Sequence, residues 1–481
     1  MNTIAFASIQ ELRTLLDAKK ISASELLKLF LERAHKYNPE LNAALEIFEH
    51  ESIMSDYIAG GILDGIPGLI KDNIAQKGRK LTCGSAILEN FTAPEDATAT
   101  ALLKKAGALL LGRANMDEFA MGSSNETSAF GPVRNPWDPT RVPGGSSGGS
   151  IAAVAAGLVP WALGSETGGS VRQPAAFCGI VGYKPTYGLI SRNGLVAYAS
   201  SLDHIGIATR TVADTAHVLT AINGKDVRDS SSKQIDPIDF TKHLDGKIPS
   251  GIKIGVVQNT LQADGMDPQV TNAISHALGD LEKLGARIVP VTLPILDYSA
   301  ALYFIISRAE AASNLGRFDG IRYGLRSSDA HTLSQVYGKT RNSGFGTEVK
   351  TRILVGNYVL SAGHAAAFYE KACAVQQLMR AEFESLFKKV DLLVMPTHPA
   401  PAFKFGAFDV DKLQMDLQDY FTCFANLTGI PAISVPCGFS SENLPIGFQL
   451  VGPWLGDEQL LKAAHAYQNA TDWHKRTPAG Y

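Results

Sequence analysis

Cysteine is scarce in this 481-residue sequence: five are present, Cys83, Cys178, Cys373, Cys423 and Cys437, with no Cys-x-x-Cys pair. That spacing excludes a disulfide framework and a structural zinc site, and it fits a reducing cytoplasm. Charge of one sign is lacking too. Lys and Arg number 44 against 47 Asp and Glu, a net charge of −3. No basic footprint therefore marks the chain by itself as a nucleic-acid binder. There is no P-loop, so nothing points to ATP held by this chain. The opening residues Met1-Asn2-Thr3-Ile4-Ala5 lack the basic and apolar stretches of a signal peptide. None of the 11 histidines stands in a distinctive motif.

One stretch is nearly free of charge. Between Arg141 and Arg172 the only charged residue is Glu166. The run Val142 to Ser165 is long enough to span a bilayer, but Pro143, Pro160 and many Gly and Ser residues argue against a membrane helix. What fills this stretch is two clusters, Gly144-Gly-Ser-Ser-Gly-Gly-Ser150 and Gly164-Ser-Glu-Thr-Gly-Gly-Ser170. Residues 144–194 hold 12 of the 45 glycines. Ordered glycine is costly in entropy, so a dense run signals tight turns with exposed N–H groups, or a flexible linker. The segment between the clusters, Ile151 to Pro160, is too apolar for a linker.

The rest of the chain alternates helical and strand patterns. Ser22-Ala-Ser-Glu25 is a capping box before an amphipathic run through Ala34. Strands are expected in the apolar runs at 62–70, 108–111, 251–257, 286–291, 390–394, 432–435 and 447–451. Helices are expected from Asp96 through Lys105, over 267–284, and from Asp457 onward. Asn443-Leu-Pro445 suggests a hairpin. These patterns predict an α/β fold: a large twisted sheet, mixed but mostly parallel, with helices on both faces. No low-complexity linker or internal repeat divides the chain.

The serine clusters suggest nucleophilic catalysis. Gly144-Gly-Ser-Ser-Gly148 matches the nucleophile elbow Gly-x-Ser-x-Gly, which requires a strand before it. The preceding Asn135-Pro-Trp-Asp-Pro-Thr-Arg-Val-Pro143 cannot be a central strand. In the second cluster, Thr167-Gly168-Gly169-Ser170 can turn several N–H groups toward one point, as an oxyanion hole requires. Ser170 is then placed to be a nucleophile, a serine of the first cluster to relay its proton, and a neutral lysine to take it. Lys71, after the apolar run ending at Ile70, is the lysine candidate, because burial favours the neutral amine. Plainer readings stay open. Both clusters can be tight turns capping a buried helix. Lys71 can pair with Asp72 or another acid.

In this order, Lys71-Asp72, Pro143 to Ser150, Gly168-Gly-Ser-Val-Arg-Gln-Pro174 and Cys178-Gly-Ile-Val-Gly-Tyr-Lys-Pro185 resemble the amidase signature family. Within it, Asn115 to Gly131, Ser201-Leu-Asp203, Arg317 to Gly324 and Gly344-Phe-Gly346 are similar to the glutaminase subunits of tRNA-dependent amidotransferases. The similarity covers nearly the whole chain and is weakest at 225–250 and 400–418.

The resemblance implies a single amidase domain over 1–481, with a helical region of about 1–60 packed on a signature core of about 61–215. It implies a triad of Lys71 as base, Ser146 as bridging serine after a cis peptide, and Ser170 as nucleophile. Thr167, Gly168, Gly169 and Ser170 would form the oxyanion hole, and Tyr303, Arg352 and Asp419 would bind glutamine. Arg352 also has a plainer reading as a helix-surface charge. No metal or cofactor is expected in this chain. ATP and magnesium would be used by a partner B subunit, which would also carry most of the tRNA contact, and a small C subunit would complete a cytoplasmic heterotrimer. A stand-alone amidase acting on small amides is the alternative. Two positions depart from the family pattern: Glu166 stands where Asp is usual, and His204 where Gln is usual.

Overall fold

A computed structural model describes residues 2–410 and 412–481. Its centre is one 11-stranded sheet in the order β1-β3-β2-β4-β6-β5-β10-β11-β9-β7-β8. In chain order the strands are β1 (Ala44–Ile47), β2 (Pro67–Lys71), β3 (Leu109–Ala114), β4 (Trp161–Glu166), β5 (Val181–Lys184) and β6 (His204–Thr209). They continue with β7 (Lys253–Val257), β8 (Arg287–Val291), β9 (Leu392–Pro396), β10 (Ala432–Phe439) and β11 (Pro445–Val451). Every residue of β2, β3, β4, β5 and β6 is buried, so these strands are covered on both faces. The edge strand β8 has only exposed and half-buried positions and accommodates Pro290, as edge strands can.

The sheet is mixed, as expected, but parallel pairing is not in the majority. Six neighbouring pairs are antiparallel and four parallel. Connection length is one cause. Only Ser440 to Leu444 separates β10 from β11, far short of the dozen or so residues a parallel crossover needs. Asn443, at φ 61°, makes that turn.

The N-terminal helices dock on this sheet through their apolar faces. The capping box forms: Glu25 N–H donates to Ser22 Oγ at 3.2 Å, and Ser22 N–H to Glu25 Oε2 at 2.8 Å. Leu26, Leu27 and Phe30 of the Ala23–Leu41 helix are fully buried. Arg33 donates to the carbonyls of Ala156 and Gly157, both at 3.0 Å. It thereby closes the carboxyl end of the Gly148–Ala155 helix, where backbone oxygens have no partners of their own. Asp96 does not cap the helix after it: that helix runs Thr98–Lys105 from Ala97, and Asp96 instead accepts from Lys77 N–H and Lys104 Nζ. Among the described residues no helix is long and apolar enough to cross a membrane.

The parallel pairing of β2 with β4 positions the chemistry. Ile70 lies opposite Leu163, so the carboxyl ends of both strands reach the same edge of the sheet. Lys71 leaves from one and Glu166 to Ser170 from the other. Crevices at such carboxyl ends are where ligands bind in open α/β sheets.

Candidate active site

Lys71 is the last residue of β2 and has no exposed surface. Its Nζ lies 2.7 Å from Ser146 Oγ, 2.9 Å from Ser147 Oγ and 3.2 Å from the Ser165 carbonyl. Asp72, its sequence neighbour, points away into an ion pair with Arg113. Burial drives the Lys71 amine down to about 7, against the opposing pull of the Asp117, Asp203 and Glu166 carboxylates.

Counting hydrogens around this amine gives each contact a direction. The Ser165 carbonyl can only accept. Ser147 spends its hydroxyl hydrogen on that same carbonyl at 3.0 Å, so toward Lys71 it too accepts. A neutral amine has two hydrogens, and these two contacts take both. Its lone pair is then left facing Ser146. Ser146 follows a cis peptide bond from Gly145. Asp117 packs on that peptide so closely that a Cβ on Gly145 would overlap its carboxylate. The Asp117 carboxylate accepts from Asn125 N–H at 3.0 Å and Thr127 Oγ1 at 2.8 Å.

Thr167 to Ser170 form the turn that follows β4, ahead of the Arg172–Cys178 helix. Among the described residues, no hydrogen bond is donated by the backbone N–H groups of Gly168, Gly169 and Ser170, nor does one reach Ser170 Oγ. The turn is held from outside. Glu166 accepts from the N–H groups of Val171 and Arg172, both at 3.1 Å, and forms a fully buried ion pair with the Arg172 guanidinium. Arg172 in turn reaches Gln449 Oε1 at 2.6 Å and the Thr422 carbonyl at 2.8 Å. Thr167 Oγ1 donates to Asp203 at 2.6 Å. The two serine clusters also grip each other, Ser147 N–H donating to the Ser170 carbonyl at 3.1 Å.

The paired glycines leave room for other side chains to approach. A Cβ on Gly168 would sit 2.6 Å from Tyr303 Cζ; one on Gly169 would overlap Thr422 Oγ1 and come within 2.7 Å of Asp419 Oδ1. Tyr303 and Asp419 therefore stand directly over the turn. Gly169→Ala is expected to cost at least about 10²-fold in amide hydrolysis, because the turn must shift to admit the methyl group and its donors must move with it. Steady-state kinetics on folded protein checks this.

Tyr303 and Asp419 share a cavity of about 640 Å³ with Arg352, Ser123 and Tyr420. Among the described residues Asp419 Oδ1 is buried without a hydrogen-bond partner, while Oδ2 accepts from Ser123 Oγ at 3.3 Å. Burial lifts the Asp419 carboxyl to about 7, with Arg352 pulling the other way. Arg352 is 5% exposed, which excludes a solvated helix-surface charge. It donates to Tyr198 Oη and to Glu348 Oε1, each at 2.7 Å. A larger cavity of about 920 Å³, lined in part by Lys233, Arg380 and Trp454, contains none of these residues. Of the two, only the smaller is lined by Tyr303, Arg352 and Asp419. Among the described residues no cluster of three His, Cys, Asp or Glu side chains is placed to hold a metal ion.

Sequence reasoning singled out Lys71, Ser146, Ser170, Thr167 to Gly169, Tyr303, Arg352 and Asp419, and the fold gathers them at one sheet edge and the cavity beside it. It missed Ser147 and Ser165 as partners of the amine, Asp117 against the cis peptide, and Arg172 as the partner of Glu166. Asp117 lies inside the Asn115–Gly131 motif, so its signal was visible without a role. The two departures, Glu166 and His204, turn out to be directly opposite one another across β4 and β6. His204 Nδ1 lies 2.6 Å from the Leu202 carbonyl and must carry a hydrogen there, so Nε2 is the acceptor that faces Lys184 Nζ at 3.3 Å.

A buried lysine amine, a serine bonded to it and a second serine beside N–H donors that bond nothing among the described residues are parts that a serine-dependent amide hydrolase would use. The chain belongs to the amidase family, whose sequence pattern matches residues 25–461. Among similar proteins is the A subunit of glutamyl-tRNA(Gln) amidotransferase from Gloeobacter violaceus, 48% identical, with 98% of each chain covered. The protein of the same name from a Geobacillus species is likewise 48% identical, with 98% of each chain covered. Of solved structures, that of the Thermotoga maritima protein of this name is 42% identical with a TM-score of 0.83, covering 99% of this chain and 96% of that one. A 6-aminohexanoate cyclic dimer hydrolase shares the fold at 28% identity and TM-score 0.86, covering 99% of both chains.

Proposed function

We propose that this chain is the glutamine-hydrolysing subunit of a tRNA-dependent amidotransferase. The observation that carries this reading is the cavity beside the Gly168-Gly169 turn, which pairs the buried cation of Arg352 with an Asp419 oxygen that has no hydrogen-bond partner among the described residues. These are the opposite charges that a free amino acid presents. Arg352 binds the α-carboxylate through its guanidinium fork, and Asp419 the α-ammonium. Tyr303 donates a hydrogen bond from above the turn. The side-chain amide of glutamine then lies against Ser170. The full-length relatives carry the name of an amidotransferase A subunit, which supports a place in amide-group transfer.

In the reaction the Lys71 lone pair takes a proton from Ser146, which takes one from Ser170. Ser170 Oγ attacks the amide carbon. The N–H groups of residues 167–170 receive the oxyanion, worth about 3–4 kcal/mol per donor in comparable sites. The proton returns along the same path to the leaving nitrogen, which departs as ammonia. Water then hydrolyses the glutamyl ester. Among the described residues no hydrogen bond joins the Ser146 and Ser170 hydroxyls, and catalytic hydrogen bonds often form only when substrate arrives.

The ammonia serves a cytoplasmic B subunit that activates Glu-tRNA(Gln), or Asp-tRNA(Asn), with ATP and magnesium, and a C subunit stabilises the pair. The whole chain acts as one amidase domain, with its N-terminal helices docked on the signature core. The test is a glutaminase assay on the purified chain with and without B and C subunits, ATP and Glu-tRNA. Ammonia release should depend strongly on the partners. Vigorous hydrolysis of simple aliphatic or aryl amides by the chain alone, indifferent to partners, would instead make it a stand-alone amidase.

A further inference from the structure

Glu118 is 2% exposed and takes no part in the chemistry above. Its Oε2 accepts from Gly346 N–H at 2.8 Å, and its Oε1 from Ser85 Oγ. Ser85 Oγ also lies 3.2 Å from the Gly344 carbonyl. The neighbouring Phe119 ring packs on Phe345 at 5.6 Å between centroids. Glu118, Ser85 and Phe119 thus grip all three residues of the turn Gly344-Phe345-Gly346. The fit is close, since a Cβ on Gly346 would overlap Glu118 Oε2.

That turn is where the Arg352 helix begins. Gly346 is the N-cap of the helix Thr347–Leu360, with no side-chain cap of its own. The Glu118 carboxyl supplies the missing acceptor at the end where helix N–H groups lack partners. Arg352 follows one and a half turns later, and a helix transmits the placement of its first turn rigidly over that distance. On the other side, Asp117 lies against the Gly145–Ser146 peptide. Adjacent side chains thus hold the two halves of the site. The backbone is bent for the purpose: Phe119 and Ala120 have φ of 50° and 60°, a region residues with a Cβ seldom occupy unless their surroundings impose it.

We propose that Glu118 is a positioning residue for substrate selection: by clasping the Gly344–Gly346 turn it sets where Arg352 meets the substrate carboxylate. This rests on the reading of Arg352 as the carboxylate anchor. The readout is discrimination in the assembled complex, the ratio of kcat/KM for glutamine to that for γ-aminobutyramide, which has the amine and amide but no carboxylate. Glu118→Ala and Glu118→Asp, the latter withdrawing the carboxylate by one methylene, are expected to raise the KM for glutamine and lower the ratio about tenfold, with kcat for glutamine changed less than KM. Glu118→Gln keeps an acceptor oxygen at Gly346 and should recover most of the loss. Arg352→Ala should lower the ratio at least as far.

A ratio unchanged in Arg352→Ala would overturn the reading of Arg352 itself. A ratio lowered there but kept in folded Glu118→Ala and Glu118→Asp would overturn the positioning role alone. Equal losses for both substrates, or failure of Glu118→Asp to fold and assemble, would make Glu118 a stability residue and also overturn it.

Discussion

Replacing Ser170 by alanine is expected to lower glutamine hydrolysis by about 10⁶-fold in kcat, the scale on which serine nucleophiles fail elsewhere. The variant should keep its fold and its affinity for glutamine. Ser170 Oγ holds no hydrogen bond among the described residues, so its loss orphans no partner. The Arg352 and Asp419 side chains remain in their cavity. Any ammonia channelled to the partner must come from this step, so glutamine-dependent amidation of tRNA should vanish while amidation supplied with free ammonium salt persists. Titration calorimetry with glutamine, beside the two amidation assays, separates loss of chemistry from loss of structure. Undiminished ammonia release would remove Ser170 from the mechanism.

The second large effect is at Lys71. Lys71→Met, close in volume and unable to bind a proton, is expected to lower kcat by about 10⁴-fold, the upper range for a general base. In the unaltered enzyme the sign of the pH dependence follows from the amine's task. Protonated, it has no lone pair for Ser146; neutral, it does. With burial holding it at about 7 in the empty site, kcat/KM should fall as pH drops through 7 and level off above. Asp419 also titrates near 7 when the site is empty, and only its ionised form pairs with the substrate ammonium. Both groups therefore shape kcat/KM, whereas kcat, which reports the occupied enzyme, isolates Lys71. Stability carries a matching signature. The unfolded chain binds the Lys71 proton near its ordinary value of 10.5 and the folded chain only near 7. The wild type therefore loses stability relative to Lys71→Met as pH falls from 10 to 7, by up to about 1.4 kcal/mol per unit, and no further below. Denaturant titrations of both proteins across that range measure it.

Much of this was legible in the sequence, and the exceptions have physical causes. Strands announced themselves as apolar runs, yet the run from Ile62 becomes strand only at Pro67, because Gly65 at φ 73° turns the chain first. Strand direction was hidden. Whether β6 runs against its sheet neighbour β4 depends on the path the chain takes through β5 between them, which residue periodicity does not record. The serine clusters could be read locally because glycine, serine and the absence of charge are local signals. Arg172 could only in part: Glu166 lies six residues before it, but its other acceptors Thr422, Asn426 and Gln449 lie more than two hundred residues away in the chain. Arg352 looked the same in sequence whether exposed or buried, and only tertiary packing settled its 5% exposure. Glu166 and His204 read as two unrelated departures until the register of β4 and β6 made them one cross-strand pair.

The enclosure of Lys71 has one more consequence. Dissolved ions weaken a charge interaction only when they can gather around it, within a screening length of about 8 Å at physiological ionic strength. No counterion can gather at an amine with no exposed surface, so its proton affinity is governed by fixed groups of the protein. The proposed base carries its own electrolyte-free medium through every change of ionic strength around the protein.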